Sequence, residues 1–251
     1  MKNLLERSTL GEEITIIFPF RDSLNGRRAR ILEWIQREWK ITLPLATQII
    51  SDSDESKPFN RSQARNRGVD QTSTPYLFMV DADSVIPSIM VYSMIDFMRN
   101  RDMCTNSWGI PYTMYSMLTE EATDVLITGP PQGAVGLSAS TLPLIRPPFR
   151  SEAGAIFMCT EDYIDIGGYD EQFHQWGLED WAFRDAALTM LGNPYRVTGN
   201  LYHLYHSDPK GEDFGSGPSL RNKKLYKPYQ DALGDPQKMS KLISKSSRKI
   251  S

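Results

Sequence analysis

The stretch "YLFMVDADSVIP" (76–87) places two carboxylates, Asp81 and Asp83, one residue apart, directly after five largely apolar residues. Like charges this close repel, so a compensating cation is expected between them. Alternate residues of an extended segment share a face, so the two side chains converge if the strand geometry persists. A divalent ion with oxygen ligands would offset their charge. Surface loops also carry Asp-x-Asp; its place at the end of an apolar strand is what points to a site. The chain has three histidines, His174, His203 and His206. The last two form His-x-x-His in "LYHLYH", and Mn²⁺ accepts imidazole nitrogen beside carboxylate oxygen. Taken singly, each fits better as a half-buried residue of an aromatic-rich segment with Tyr202 and Tyr205; together with the separate Asp pair they make a metal set. The third group lies in "QWGLEDWAF", where Glu179 and Asp180 open a helix. Acids are favoured at a helix start, so capping alone explains them. Trp176 and Gly177 directly precede them, however. An indole face stacks on a sugar ring, and a carboxylate within reach of a hydroxyl is a general base.

Positioning these groups requires a framework. "EITIIFP" (13–19) reads as a buried strand, Leu24 to Trp39 as a helix with apolar residues near helical spacing, and "ATQIISDSD" as a second strand. "FNRSQARNRGVDQ" reads as a polar helix and "YLFMV" as a third strand. Pro87 starts a further helix over "SIMVYSMIDFMRN". This alternation implies a parallel sheet with right-handed crossovers. Ligands of such sheets lie beyond the carboxyl ends of the strands. That rule puts Phe20 and Arg21, Asp52 and Asp54, and Asp81 and Asp83 on one rim. Residues 128–154 are rich in Pro and Gly with little periodicity, the mark of a functional or mobile segment. "AIFMCTEDYIDIGGYDEQF" reads as a strand and short helix, "EDWAFRDAALTMLGN" as a helix stopped by Gly192-Asn193, and "PYRVTGNLYHLYH" as a strand or hairpin. "SDPKGEDFGSGPS" reads as a flexible loop.

A chain of 251 residues with 40% hydrophobic content supports one large domain or two small ones. No apolar run approaches the roughly 20 residues needed to span a bilayer, and the charged N-terminus does not read as a secretion signal. Two cysteines, Cys104 and Cys159, make neither a disulfide framework nor a four-cysteine zinc site, so a reducing cytoplasm is expected. Residues 218–251 carry a net charge of +7 against −10 for the rest. A basic tail on an acidic body fits an anionic partner, or a solvated, frayed terminus.

Together these blocks resemble GT-A glycosyltransferases, nearest the inverting β-galactosyltransferase family and the chondroitin-polymerase-type domains. "IIFPFRDS", "FNRSQARNRGV", "FMVDADSVIP", "GGYDEQFHQWGLEDWAF" and "LYHLYH" follow one another in the family's order. The resemblance implies a single α/β domain of GT-A type, Rossmann-like, with a mostly parallel sheet flanked by helices. It would span 1–217, with a nucleotide-binding half at about 10–110, an acceptor half at about 150–217, and a basic extension over 218–251. It also implies roles. Pro19, Phe20 and Arg21 contact the nucleotide, Phe59 and Arg61 flank base and ribose, and Asp52 reads the base. Asp83 and His206 ligate the metal, Asp81 touches donor or metal through water, and His203 completes the shell. Asp180 is the catalytic base, Glu179 and Trp176 hold acceptor and donor, and Gly154 allows close approach of the donor. The family's second Arg is replaced by Ser23, with Arg146 and Arg150 as substitutes for that phosphate contact. Leu178 replaces a glycine and Trp181 an acid, both on the acceptor side.

The activity so implied is a metal-dependent inverting transfer, with Mn²⁺ or Mg²⁺, from a nucleotide sugar to a hydroxyl. Phe59 and Asp52 favour UDP, with GDP left open. A saccharide or glycoconjugate acceptor ranks ahead of hydroxymethylated DNA bases, which the basic tail permits. The lack of the animal enzymes' anchor and disulfides fits a bacterial or phage enzyme. A sugar nucleotidyltransferase shares sheet and metal but needs a Gly-rich phosphate loop, and "FPFRDSLNGRR" has one glycine. A glycoside hydrolase explains Glu179 and Asp180 but neither Asp-x-Asp nor the histidine pair. A non-catalytic binding module is the third alternative.

Overall fold

A computed structural model describes residues 11–21, 26–100, 108–133, 137, 142–152, 154–174, 177–207 and 218–246. Strands β1 (Ile14–Pro19), β2 (Thr47–Ser51) and β3 (Tyr76–Val80) alternate with helices α1 (Arg27–Thr42) and α2 (Arg61–Asp70). After β3 come β4 (Ser84–Val85), α3 (Ser88–Asn100), β5 (Trp108–Ile110), β6 (Met114–Met117) and α4 (Glu120–Thr128). The chain continues through β7 (Ala155–Cys159), α5 (Thr160–Asp165), α6 (Glu179–Leu191), β8 (Tyr195–Arg196) and β9 (Asn200–His203). It ends in α7 (Leu220–Ala232) and α8 (Pro236–Ser246).

Six strands form the main sheet in the order β2-β1-β3-β7-β5-β8. β1 pairs in parallel with both β2 and β3, while β7 runs antiparallel to β3 and β5. The mostly parallel sheet expected from the sequence is therefore present, with one reversed strand. The chain moves from β1 to β2 on one side and returns to β3 on the other. This reversal opens a crevice beyond the ends of β1 and β3. A second sheet, β4-β9-β6, begins at Ser84, directly after the Asp-x-Asp pair.

β1 is buried along its whole length, as expected for a central strand covered on both faces. α1 presents Ile31, Trp34, Ile35, Glu38 and Trp39 inward at helical spacing. Trp39 meets Phe78 of β3 edge-on, ring centroids 5.0 Å apart. α1 begins three residues later than the apolar pattern indicated, because Gly26 takes a left-handed conformation at its N-cap; Leu24 lies outside the described residues. α4, β5 and β6 had no counterpart in the sequence reading. α4 is capped by Thr119, whose hydroxyl accepts from Ala122 N, with Glu120 and Glu121 in the first turn. Part of the Pro-rich stretch is paired along β6, through Tyr115–Phe149 and Leu118–Leu144 bridges.

The C-terminal segment corrects the frayed-tail expectation. α7 and α8 pack on α6 around a second apolar cluster of Phe173, Ala182, Ala186, Tyr226, Tyr229, Met239 and Ile243. The lysines lie on the outer faces. Among the described residues no helix is long and apolar enough to cross a membrane.

Gly68 brings α2 against the sheet. A Cβ there would collide with Ile17 Cγ2 and come within 2.9 Å of Ser51 Oγ. Gly68→Ala is expected to destabilise the protein by about 1–3 kcal/mol through overpacking, read as a lower urea midpoint; an unchanged midpoint would contradict this packing.

Candidate active site

Asp83, His203 and His206 come together although 120 residues separate the first from the second. β4 follows Asp83 at once and pairs antiparallel with β9, setting Ser84 opposite His203. Leu204 N then donates to Asp83 O at 2.8 Å, and Tyr205 N to Thr123 Oγ1 at 2.8 Å, which fixes the turn into His206. Asp83 Oδ1 lies 3.3 Å from His203 Nε2, and Asp83 Oδ2 lies 3.1 Å from His206 Nε2. One ligand atom from each residue falls within 4.8 Å of the others, close enough to share one ion. Burial works against ionisation of Asp83, but His203, His206 and Arg28 outweigh it and hold the carboxyl well below its usual range. Burial lowers the His203 pKa more than the Asp83 charge raises it, which favours the uncharged imidazole that metal ligation requires. His206 Nδ1 is buried without a partner. One carboxylate and two imidazoles make a mixed oxygen and nitrogen ligand set of the kind that takes a divalent transition-metal ion.

Asp81 does not join this set. The extended geometry ends at Val80: Asp81 N donates to Gly154 O at 2.9 Å, and Ser84 N to Asp81 O at 3.0 Å. The chain turns between the two aspartates, and their side chains take different cations. Asp83 meets Arg28 Nη2 at 3.3 Å. Asp81 meets Arg65 Nη2 at 3.0 Å. The charge expected of a metal between the two is supplied here by two arginines.

Arg65 links the strand-end rim to α6. Its other nitrogen, Nη1, lies 2.6 Å from Asp180 Oδ1, and its side chain is only 3% exposed. The guanidinium stacks 4.4 Å over Tyr169, which stacks on Phe183 at 4.3 Å. Tyr169 OH also donates to Asp180 Oδ1 at 3.3 Å. Glu179, expected to hold the acceptor, is instead buried at 3% exposure. It accepts from Arg61 Nη1 at 2.9 Å and from Gly177 N at 2.9 Å, so it fixes α6 to α2. Burial and the neighbouring Asp180 charge raise Glu179's pKa above the usual carboxylate range despite Arg61 and Arg65. Burial opposes the charge on both arginines, but their carboxylate partners prevail and keep them protonated.

Arg21 shows a different use from the expected nucleotide contact. Its Nε bonds both Asp52 oxygens, Nη1 bonds Lys57 O at 2.6 Å, and Nη2 bonds Ser53 and Asp54. All three nitrogens are engaged in ordering the loop that presents Asp52. The guanidinium also lies 5.6 Å over the Phe59 ring. Asp52, Phe59, Pro19 and Phe20 thus gather at the β1–β2 side of the rim. Gly154 needs its φ of +108°, and a Cβ would meet Leu201 and Tyr115 at 3.0 Å, so packing alone accounts for glycine there. Trp176 lies outside the described residues. Arg146 stacks on Phe149, 4.1 Å over its ring. Arg28 and Arg65 were missed from sequence. Arg65 is one helical turn beyond Arg61, so helical spacing already put it on the face that carries Arg61.

The family model described as "Glycosyltransferase like family 2" matches residues 38–189. No curated protein matches at the sequence level. Among solved structures, glucosyl-3-phosphoglycerate synthase from Mycobacterium tuberculosis, in complex with Mn²⁺, UDP-glucose and phosphoglyceric acid, is 12% identical with a TM-score of 0.51, covering 92% of this chain and 82% of that one. The catalytic domain of Drosophila β1,4-galactosyltransferase 7 in complex with xylobiose is 17% identical with a TM-score of 0.49, covering 85% and 79%.

Removing one partner of a buried ion pair leaves uncompensated charge. Arg65→Met strands Asp180 and Asp81 together and is expected to cost about 3 kcal/mol in chemical denaturation at neutral pH. A loss within the error of the measurement would show that the bridge is not a stabilising link.

Proposed function

The chain belongs to the glycosyltransferase-like family 2, and from that premise we propose that it moves a sugar from a nucleotide donor, UDP favoured, to a saccharide hydroxyl, with a divalent cation and inversion at the anomeric carbon. It is a glycosyltransferase of GT-A fold. One observation carries the finer reading. Arg65 ties Asp81, on the metal-set side of the rim, to Asp180 at the start of α6, so donor groups and a base converge on one guanidinium. The M. tuberculosis enzyme of like fold holds Mn²⁺ and UDP-glucose. Asp83, His203 and His206 suit the same kind of cation here, and Asp52 with Phe59 suits a uracil ring. Trp181, 47% exposed and next to Asp180, offers an aromatic face to a sugar acceptor. Arg184 stacks 4.3 Å over its ring and steadies it.

In this reading the acceptor oxygen attacks the anomeric carbon while the bond to the diphosphate breaks, its electron pair leaving with the phosphate. Asp180 Oδ takes the hydroxyl proton as the new bond forms. Arg65 and Tyr169 hold that carboxylate in one orientation, which keeps it aligned with the attacking oxygen. When bound by Asp83, His203 and His206, Mn²⁺ supplies Lewis-acid stabilisation of the charge on the leaving diphosphate. A single in-line displacement with one base inverts the configuration. Phe20, buried beside the rim, and the second sheet limit water's access to the donor.

The test is turnover with a panel of nucleotide sugars and Mn²⁺. Asp83→Ala is expected to abolish metal-dependent turnover. Asp180→Asn should lower turnover by roughly 10³-fold while UDP binding in the presence of Mn²⁺ is unchanged. Loss of UDP binding in parallel would contradict the base assignment.

A further inference from the structure

The start of α6 carries Asp180 yet has no side-chain cap of its own. Its N-cap residue, Leu178, sits at φ +77°, the only non-glycine positive φ among the described residues. A leucine does not adopt that conformation by preference, so neighbouring structure must hold it. On one side Arg61 and Arg65 do so. On the other side stands the C-terminal hairpin, α7 and α8. Leu178 packs against its apolar cluster. Asn222 is fully buried, and its Nδ2 donates to His174 O at 3.0 Å and to Gly177 O at 2.9 Å. Ser219 Oγ accepts from Asn222 N at 3.1 Å and so fixes the first turn of α7. Pro218 fills the space beside Gly177, where a Cβ would come within 2.9 Å. Further along, Tyr226 OH donates to the buried Asp185 at 2.7 Å and Tyr229 OH to Asp170 at 3.1 Å.

We propose that this hairpin is a brace that sets the position of the base, with Asn222 as the positioning residue. The inference rests on the reading of Asp180 as base. Asn222 joins the backbone carbonyls of His174 and Gly177, and Gly177 leads directly into Leu178, Glu179 and Asp180. Losing those bonds lets the helix start shift relative to Arg65 and to the metal set. The donor side, built on β1, β3 and β9, does not depend on it.

The experiment compares transfer kinetics with calorimetric UDP binding in the presence of Mn²⁺, on the full chain. Asn222→Leu keeps the branching at Cγ, removes the amide donors and also removes Oδ1, which has no partner. It is expected to lower kcat on the order of 100-fold, as a displacement of the base by about 1 Å would, with UDP affinity unchanged at a temperature where circular dichroism shows it folded. Ser219→Ala, which loosens the same turn, should lower kcat in the same direction by less, and carries the test if the leucine variant does not fold. Lys241→Ala, on the exposed face of α8, should match wild type. Unchanged kcat in the folded variants, or UDP affinity falling in step with kcat, overturns the brace. A wild-type protein that neither binds UDP with Mn²⁺ nor transfers sugar overturns the underlying reading, and the brace with it.

Discussion

One guanidinium organises the rim of this protein. Arg65 carries its charge at 3% exposure between Asp81 and Asp180, which belong to opposite halves of the fold. Four carboxylates, Asp81, Asp83, Glu179 and Asp180, crowd a largely dry region, where unpaired charge is costly. The structure satisfies each with a dedicated cation or imidazole: Arg65 for Asp81 and Asp180, Arg61 for Glu179, and Arg28 with two histidines for Asp83. α2 supplies two of these arginines from one face, one turn apart. Asn66, next to Arg65, bonds Tyr169 O and Glu171 Oε1 at 2.9 Å and accepts from Tyr163 OH at 2.7 Å. The short polar helix between β2 and β3 is thus the joint between the strand-end rim and the start of α6, which explains why so few of its residues are apolar although most are buried.

The second constraint is the pairing of β4 with β9. Two-residue strands contribute little stability alone. Here the pairing delivers both histidines to Asp83 and closes the small sheet with β6. Its edge is further anchored by Arg27, whose Nε donates to Tyr205 O at 3.2 Å and whose Nη2 reaches Asp124 at 3.0 Å. α4 therefore serves the site indirectly, by holding the base of the turn that carries His206.

Much of this was legible in the residues themselves. The apolar runs of β1 and β3 and the helical spacing in α1 gave the layered sheet, and strand-end carboxylates gave the rim. His-x-x-His pointed by its chemistry to the Asp81 and Asp83 pair, and the resemblance singled out Asp83. What failed was local. The Asp81–Asp83 alternation assumed an extended backbone that turns one residue earlier. The resemblance implied that Arg21 contacts the nucleotide; residue type does not reveal that its nitrogens are bonded to Asp52, Lys57, Ser53 and Asp54. β5 and β6 are three and four residues long, too short for periodicity to register. In the tail, the run of lysines hid a regular apolar spacing, Met239, Leu242 and Ile243, that packs α8 on α6. Net charge describes a surface and says nothing of the face turned inward.

The central claim is that Asp83, His203 and His206 hold a divalent cation on which nucleotide binding depends. The most direct measurement is calorimetric titration of Mn²⁺ into the wild-type protein and into His203→Ala/His206→Ala, each with and without UDP. The account predicts saturable Mn²⁺ binding to the wild type, UDP binding that requires Mn²⁺, and loss of both in the double variant while it remains folded. Equal Mn²⁺ binding by the two proteins, or UDP binding indifferent to the metal, would contradict it.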